Sequence, residues 1–334
     1  MNAPAPLNLP TVSVVVPMYN EIDNVAPLVQ RFEEALGSAP WPWELLLVDD
    51  GSTDGTTARL REVARQTGDH IRVIELARNF KQTAAMQAGI DAARGDVIVT
   101  LDGDLQNDPL DIPLLVERLL REDLDLVAGW RKDRKDGFWL RKVPSRIANR
   151  LIARLTGVRL NDYGCSLKAF RASCLRQIRL YGEMHRFIPA WIATVTHKDR
   201  IAEQAVRHHP RIHGESKYGI SRTFRVILDL LFMYFIMRFR ARPGHFFGLI
   251  GLGLMALGSL ILGYLFVLKL MGESIGSRPL LTLGFFLMVA GVQMLSTGIL
   301  AEVLVRVLFE SGGAQSYWVR DHAERAPEAG WRRP

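Results

Sequence analysis

Along residues 11–208, short and nearly unbroken apolar runs alternate with longer stretches in which apolar positions recur every three or four residues. The runs at 12–16, 45–48, 73–76, 97–101 and 126–128 have the length and continuity of strands covered on both faces. The stretches at 24–36, 56–66, 82–93 and 109–122 carry the helical period. Alternation of this kind predicts an α/β domain on a doubly wound parallel sheet. Ligands of such sheets sit just past the carboxyl ends of the strands. The residues that follow each run are therefore where chemistry is expected.

The pattern changes after residue 220. Residues 224–239 are an apolar stretch of 16 broken by Arg225, Asp229 and Arg238, short for a membrane span and suited to a helix in the headgroup plane. Residues 243–268 and 279–301 contain no Lys, Arg, Asp or Glu. Each exceeds the roughly 20 residues that cross a bilayer as a helix. Only ten residues separate them, which predicts a hairpin with both ends on one side. The flank before the hairpin carries Arg222, Arg225, Arg238, Arg240 and Arg242, and the flank after it Arg306 and Arg320. The positive-inside rule then places both termini and the α/β domain in the cytoplasm, on a multi-pass protein of the inner membrane. Residues 1–10 lack the basic and apolar regions of a signal peptide. The expected plan is a flexible 1–10, a catalytic domain at 11–220, interfacial helices at 221–242, a transmembrane hairpin within 243–309 and a cytoplasmic tail at 310–334.

Three of the predicted strands end in polar clusters: Pro17-Met18-Tyr19-Asn20-Glu21, Asp49-Asp50-Gly51-Ser52-Thr53-Asp54 and Asp102-Gly103-Asp104-Leu105-Gln106. Any one of these acids suits a turn or a helix cap. Acids converging on one edge from three strands repel one another unless a cation sits among them. Oxygen ligands of this kind suit Mg²⁺ or Mn²⁺. There is no Gly-x-Gly-x-x-Gly after the first run and no Gly-Lys-Ser/Thr loop, which argues against a dinucleotide dehydrogenase and a P-loop ATPase.

The three clusters resemble the Pro-x-Tyr-Asn-Glu, Asp-Asp-Gly-Ser-x-Asp and Asp-x-Asp-x-Gln motifs of family 2 glycosyltransferases with the GT-A fold. Arg78-Asn79-Phe80-x-Gln82 through Ala88-Gly89, Asp162-Tyr163-Gly164-Cys165-x-Leu167-Lys168 and Gly214-Glu215-Ser216-Lys217-Tyr218 are similar to the polyprenyl-phosphate branch of that family. The resemblance covers nearly the whole chain. Gly103 stands where many relatives have Ala, and the Gln-x-x-Arg-Trp motif of processive polysaccharide synthases does not occur.

The resemblance implies an inverting enzyme that moves a sugar from a UDP- or GDP-linked donor to a polyprenyl phosphate. It implies that Pro17, Tyr19, Asn20 and Glu21 hold the base and ribose, with Asp50 on the base and Arg78 and Lys81 nearby on the same edge. It places Asp102 near the ribose or the metal, and the metal on Asp104 and Gln106 with Asp102. A phosphate monoester is largely ionised at neutral pH, with a second pKa near ~6. Such an acceptor attacks without a strong base, so the site needs cations that hold two phosphates together. Arg131, Ser145 and Arg146 are the expected acceptor-phosphate ligands, Lys217 a further one, and Asp162 positions the acceptor, accepts a proton or caps local structure.

Composition sharpens this picture. The 334 residues are 48% hydrophobic and 23% charged with net charge +7, values of an ordinary globular protein that exclude disorder. The charge is not spread evenly: residues 131–159 hold ten basic and two acidic side chains, a local excess above the chain's own total. The basic residues adjoin a membrane segment and no recognition motif accompanies them, which argues against a nucleic-acid partner. Two cysteines are too few for a disulfide scaffold, and Cys165 and Cys174 are expected as reduced packing residues. Pro210 interrupts any helical pairing among His208, His209 and His213, so zinc is not expected. The charge-free spans do not suit a transporter. A membrane-anchored scaffold that has lost catalysis is the rival reading. Gly248, Gly251, Gly253 and Gly258 form a face that suits a homo-oligomer.

Overall fold

A computed structural model describes residues 9–132, 152–154, 157–210, 232, 234–239 and 242–311. The chain divides into two compact units, Met1–Leu230 and Leu231–Pro334.

The first unit is built on β1 (Val12–Met18), β2 (Trp43–Asp49), β3 (Ile71–Glu75), β4 (Val97–Thr100), β5 (Leu126–Trp130), β6 (Lys168–Arg171) and β7 (Ile201–Ala205). The strands lie in the order β3-β2-β1-β4-β6-β5-β7. Helices α1 (Val25–Leu36), α2 (Thr56–Thr67), α3 (Gln82–Ala92) and α4 (Ile112–Arg121) connect the first five strands, and the short α5 (Ala172–Leu175) and α6 (Ile188–Ile192) follow β6. Strand β1 pairs parallel with both β2 and β4, so the chain reverses direction across the sheet at the carboxyl ends of β1 and β4. Such a reversal opens a crevice for ligand.

The five strands expected from hydropathy are present, and two more are not anticipated by it. The sheet is mixed rather than all-parallel, because β6 runs antiparallel between β4 and β5. The reason lies in composition: β6 is Lys-Ala-Phe-Arg and β7 is Ile-Ala-Glu-Gln-Ala, segments without an apolar run. Backbone pairing holds β6 on both sides where its side chains carry no strand signal. The reversal has a functional consequence. Lys168, the first residue of β6, lies opposite Thr100 of β4 and Ala128 of β5. The segment leading into β6 therefore reaches the same edge as the ends of β1 and β4. A parallel strand would have delivered it to the opposite edge.

Alternation along β1 divides its two faces. Val12, Val14 and Val16 join Leu28, Phe32, Leu115 and Leu119 from α1 and α4 in the main core, together with Leu45, Leu47 and Val99. Burial of each such side chain stabilises the fold by roughly 1.5–3 kcal/mol. Val15 faces α3, where a Cβ on Gly89 would sit 2.3 Å from its Cγ1. Only glycine lets that helix lie so close to the strand. Cys165 and Cys174 are buried free thiols, and burial pushes them up to about 11 and about 12.

The second unit contains α7 (Pro243–Leu270) and α8 (Pro279–Ser311). Both are long and apolar enough to cross a membrane, and only 17% of each apolar window is buried. Leu260, Phe266 and Phe286 point outward, unlike the side chains of a soluble core helix. The contact between the helices is made by glycines seven residues apart: Gly244, Gly251 and Gly258 on α7, and Gly298, Gly291 and Gly284 on α8. A Cβ on Gly251 would lie 2.8 Å from the Gly291 carbonyl oxygen, and one on Gly258 2.9 Å from that of Gly284. Two of the four glycines expected on an oligomer face, Gly251 and Gly258, are therefore used inside the hairpin, while Gly248 and Gly253 have open space. Small residues admit this close backbone approach, which suits helix pairing in lipid. At the open end of the hairpin the Gly244 N–H donates to a Glu302 carboxylate oxygen at 3.3 Å. That bond satisfies an orphan donor in the first turn of α7.

Gly291→Leu should separate the helices, since a Cβ there would sit 2.4 Å from Met255 Cγ. Overpacking of this kind costs about 1–3 kcal/mol. Gly253→Leu, with nothing within 4 Å of its added Cβ, is the control. The thermal stability of the full chain in detergent should fall for the first variant and stay unchanged for the second.

Candidate active site

The crevice is assembled from four loops, and most of their polar residues first serve to hold one loop to another. Asn20 has a left-handed φ of +54°. Its N–H donates to Ser52 Oγ at 2.9 Å and its Oδ1 accepts from the Thr53 N–H at 2.9 Å, tying the loop after β1 to the loop after β2. Asp49 accepts from the Ser52 and Thr57 hydroxyls. Asp54 accepts from the Thr56 N–H at 3.0 Å at the start of α2. Gly51 has φ +68°, and a Cβ there would lie 2.5 Å from the Arg78 carbonyl carbon. The loops after β2 and β3 thus touch backbone to backbone.

Asp50 organises the loop after β3. Its two carboxylate oxygens accept from the Phe80 N–H at 2.7 Å and the Lys81 N–H at 2.9 Å. Burial pushes its pKa above the usual carboxylate range, more than those two bonds pull it down. Lys81 is held at φ +78° and ψ 160° as the residue before α3. Only glycine occupies that region with ease, and another residue there costs on the order of 1–3 kcal/mol. Arg78 lies over the Phe80 ring, 4.2 Å from its centroid.

The acids after β4 sit at the centre. The Gln82 side-chain amide, from the first residue of α3, donates to Asp102 Oδ1 at 2.7 Å. The Asp102 N–H donates to Ser166 Oγ at 3.3 Å, and Asn107 Nδ2 donates to the same hydroxyl at 2.7 Å. Asp104 is buried and its Oδ1 accepts from the Gln106 N–H at 3.2 Å. Burial, and then the charge of Asp104, push Asp102 up to about 6. A buried carboxylate whose proton affinity is raised by a neighbouring carboxylate marks a place for a cation.

The segment leading into β6 supplies the opposite wall. Asp162 grips Arg131 through two bonds, from Nε at 2.7 Å and from Nη2 at 3.0 Å, with both side chains largely buried. Burial raises Asp162, but the Arg131 hydrogen bonds and charge outweigh it and hold the carboxyl below its ordinary range. Glu203 on β7 accepts from the Asp162 N–H at 2.7 Å and from the Asn161 N–H at 2.9 Å. Lys168 is buried, and its ammonium donates to the Cys165 carbonyl. Burial lowers its pKa, opposed by Cys165, Asp162 and Asp102.

Pro17, Tyr19, Asn20, Glu21, Asp50, Arg78, Lys81, Asp102, Asp104, Gln106, Arg131 and Asp162 all lie on loops at this one edge or at the strand ends that meet it. Within that set, the side chains of Asn20 and Asp50 bond the neighbouring loops, and Arg131 and Asp162 form a pair. Ser145, Arg146, Lys217 and His213, and most of the expected interfacial helix, lie outside the described residues. His208 Nδ1 and the His209 N–H both bond the Gln106 carbonyl, and His209 Nε2 pairs with Asp108. These histidines brace the loop after β4. Gln82, Ser166, Lys168 and Glu203 were not expected at the site. The first three fall inside quoted motifs, whereas Glu203 carries no signal because β7 itself has none.

A divalent cation fits what is present. Among the described residues no group of three or more His, Cys, Asp or Glu could hold a metal. Asp102, Asp104 and Gln106 offer a partial, all-oxygen donor set, which suits an ion that shares its remaining positions with phosphate oxygens and water.

Residues 13–179 match the model of the family described as glycosyl transferase family 2. The chain belongs to that family. It is 59% identical over 309 residues to the dodecaprenyl-phosphate galacturonate synthase of Rhizobium johnstonii, covering 92% of this chain and 91% of the relative. It is 36% identical over 328 residues to the undecaprenyl-phosphate 4-deoxy-4-formamido-L-arabinose transferase of Pseudomonas paraeruginosa, covering 98% and 94%. The glucosyl-3-phosphoglycerate synthase of Mycobacterium tuberculosis, solved with Mn²⁺ and UDP-glucose, superposes with a TM-score of 0.52 at 22% identity over 67% of this chain and 79% of that one. That likeness shows the GT-A fold. The protein is therefore a glycosyltransferase of the polyprenyl-phosphate branch, and the scaffold reading gives way to an enzyme.

Proposed function

We propose that this glycosyltransferase transfers a hexuronic acid, galacturonate, from a nucleoside-diphosphate donor to the phosphate of a polyprenyl phosphate, with inversion at the anomeric carbon. The observation that carries this reading is the 59% identity, over nearly the full length of both chains, to a synthase named for a polyprenyl-phosphate galacturonate. The site supports it, because its acids face an edge that also presents Arg78, Lys81 and Arg131.

In the reaction an oxygen of the lipid phosphate attacks the anomeric carbon. The bond from that carbon to the donor's diphosphate breaks, and the nucleoside diphosphate leaves with the electron pair. The acceptor is already anionic, so the protein need not remove a proton. Mg²⁺ or Mn²⁺ on Asp102, Asp104 and Gln106 would neutralise charge on the leaving diphosphate. Gln82 and Ser166 orient Asp102 for that task. Pro17, Tyr19 and Glu21 line the nucleotide side. Arg131, kept in place by Asp162, faces the acceptor phosphate, with Ser145, Arg146 and Lys217 as further ligands. In this reading residues 11–220 work on the cytoplasmic face of the inner membrane. Residues 221–242 lie along the surface, the hairpin within 243–309 spans it, and 310–334 return to the cytoplasm.

The test is a donor panel. Full-length protein in detergent is incubated with undecaprenyl phosphate, Mg²⁺ or Mn²⁺, and UDP- and GDP-linked galacturonate, glucuronate, galactose, glucose and mannose. A lipid-linked uronic acid is the expected product, lost on chelation with EDTA. Product from neutral sugars alone would overturn the galacturonate assignment, and no product from any donor would overturn the transferase reading.

A further inference from the structure

Lys81 occupies a backbone conformation that belongs to glycine, with φ +78° and ψ 160°. Hydrogen bonds donated by its own N–H and by the Phe80 N–H to the Asp50 carboxylate hold it there. Glycine would adopt this geometry without strain, so a side chain at this position works against the fold's own stability. The side chain is exposed, and it has no hydrogen-bond or ion-pair partner among the described residues. It stands next to Gln82, whose amide is bonded to Asp102.

Among the described residues, three other cations near this edge are engaged. Arg131 is gripped by Asp162, Lys168 is buried on the Cys165 carbonyl, and Arg78 lies over the Phe80 ring. A hexuronate donor carries one more negative charge than a neutral hexose donor, at the sugar's C6 carboxylate. That charge is not covered by a cation bound to the diphosphate.

We infer that Lys81 is the specificity-determining residue that pairs with the carboxylate of the donor sugar. The inference rests on the hexuronate reading above. A charge-assisted bond to the carboxylate would discriminate a uronic acid from the corresponding hexose, which differs only in having a hydroxymethyl group at that carbon.

The test compares wild type with Lys81→Met, Lys81→Arg and Lys81→Gly, using the nucleotide that the donor panel selects. Lys81→Met should raise KM for the galacturonate donor about tenfold or more, with inhibition by the free nucleoside diphosphate unchanged within about twofold. Lys81→Arg should keep most of the wild-type KM. Lys81→Gly should show the same loss as Met while melting about 2–4 °C above wild type, because the strain is gone. An equal rise in KM and in the nucleoside-diphosphate inhibition constant would place the lysine on the diphosphate and overturn the inference. So would an unchanged KM, or a lower melting temperature for the glycine variant. Failure of wild type to use any uronic acid while accepting a neutral sugar would instead overturn the hexuronate reading, and the inference with it. The panel separates that result from a failure at Lys81 alone.

Discussion

Asp104→Ala should abolish glycosyl transfer, by at least ~10³-fold in kcat/KM, while leaving the fold intact. Loss of one preorganised electrostatic group at a reacting centre typically costs ~10²–10³-fold. Here the lost carboxylate is also one of two acids proposed to hold the cation, so the loss should be larger. Stability should not suffer. Asp104 helps to push Asp102 up to about 6. Removing its charge relieves repulsion in the pair and lets Asp102 return toward the usual range. A variant that melts like wild type, inserts normally into membranes and transfers no sugar supports the assignment. Near-normal turnover by that variant would sink the cation site at Asp102 and Asp104.

Much of this site was legible because its residues sit in short contiguous runs after strongly apolar strands. Asp49 ends β2 with Asp50 next to it, Asp102-Gly103-Asp104 begins two residues past β4, and parallel strands bring their ends together whatever the intervening helices do. What was not legible depended on long-range pairing. Strand β6 has no hydropathy signal, so its direction could not be read, and with it went the reason why Ser166 and Lys168 stand beside Asp102. The partnership of Arg131 with Asp162, and of Asp162 with Glu203, spans loops that only the mixed sheet brings together. Lys81 looks like any surface lysine in sequence, and its strain is a property of the backbone that Asp50 imposes. The glycine contact of the hairpin is an intermediate case. Its spacing of seven is written in the chain, but spacing alone does not say whether the partner is the other helix or another molecule.

Asp162→Asn should destabilise the protein by about 3–5 kcal/mol, the usual effect of leaving one member of a buried ion pair without its counter-charge. The Arg131 side chain is 13% exposed and makes both of its short ion-pair bonds to this one carboxylate. Because an amide cannot balance it, the guanidinium would be left charged in a poorly solvated position. Arg131→Met combined with Asp162→Asn removes the orphaned charge and should regain most of the stability, so that the two single effects do not add. The pH dependence has a definite sign. Asp162 is held below the ordinary carboxylate range in the fold, so its contribution is complete above pH ~4 and is lost as pH falls through the lowered value. Wild type should therefore lose stability in acid that Asp162→Asn, already without it, does not lose. Activity separates the roles of the two residues. If Arg131 meets the acceptor phosphate, Arg131→Met raises KM for the lipid at unchanged KM for the donor. Asp162→Asn, acting only through the placement of Arg131, should show the same selective defect to a smaller degree. An Asp162→Asn enzyme as stable as wild type but with kcat alone reduced would show instead that the carboxylate acts directly on a reacting group.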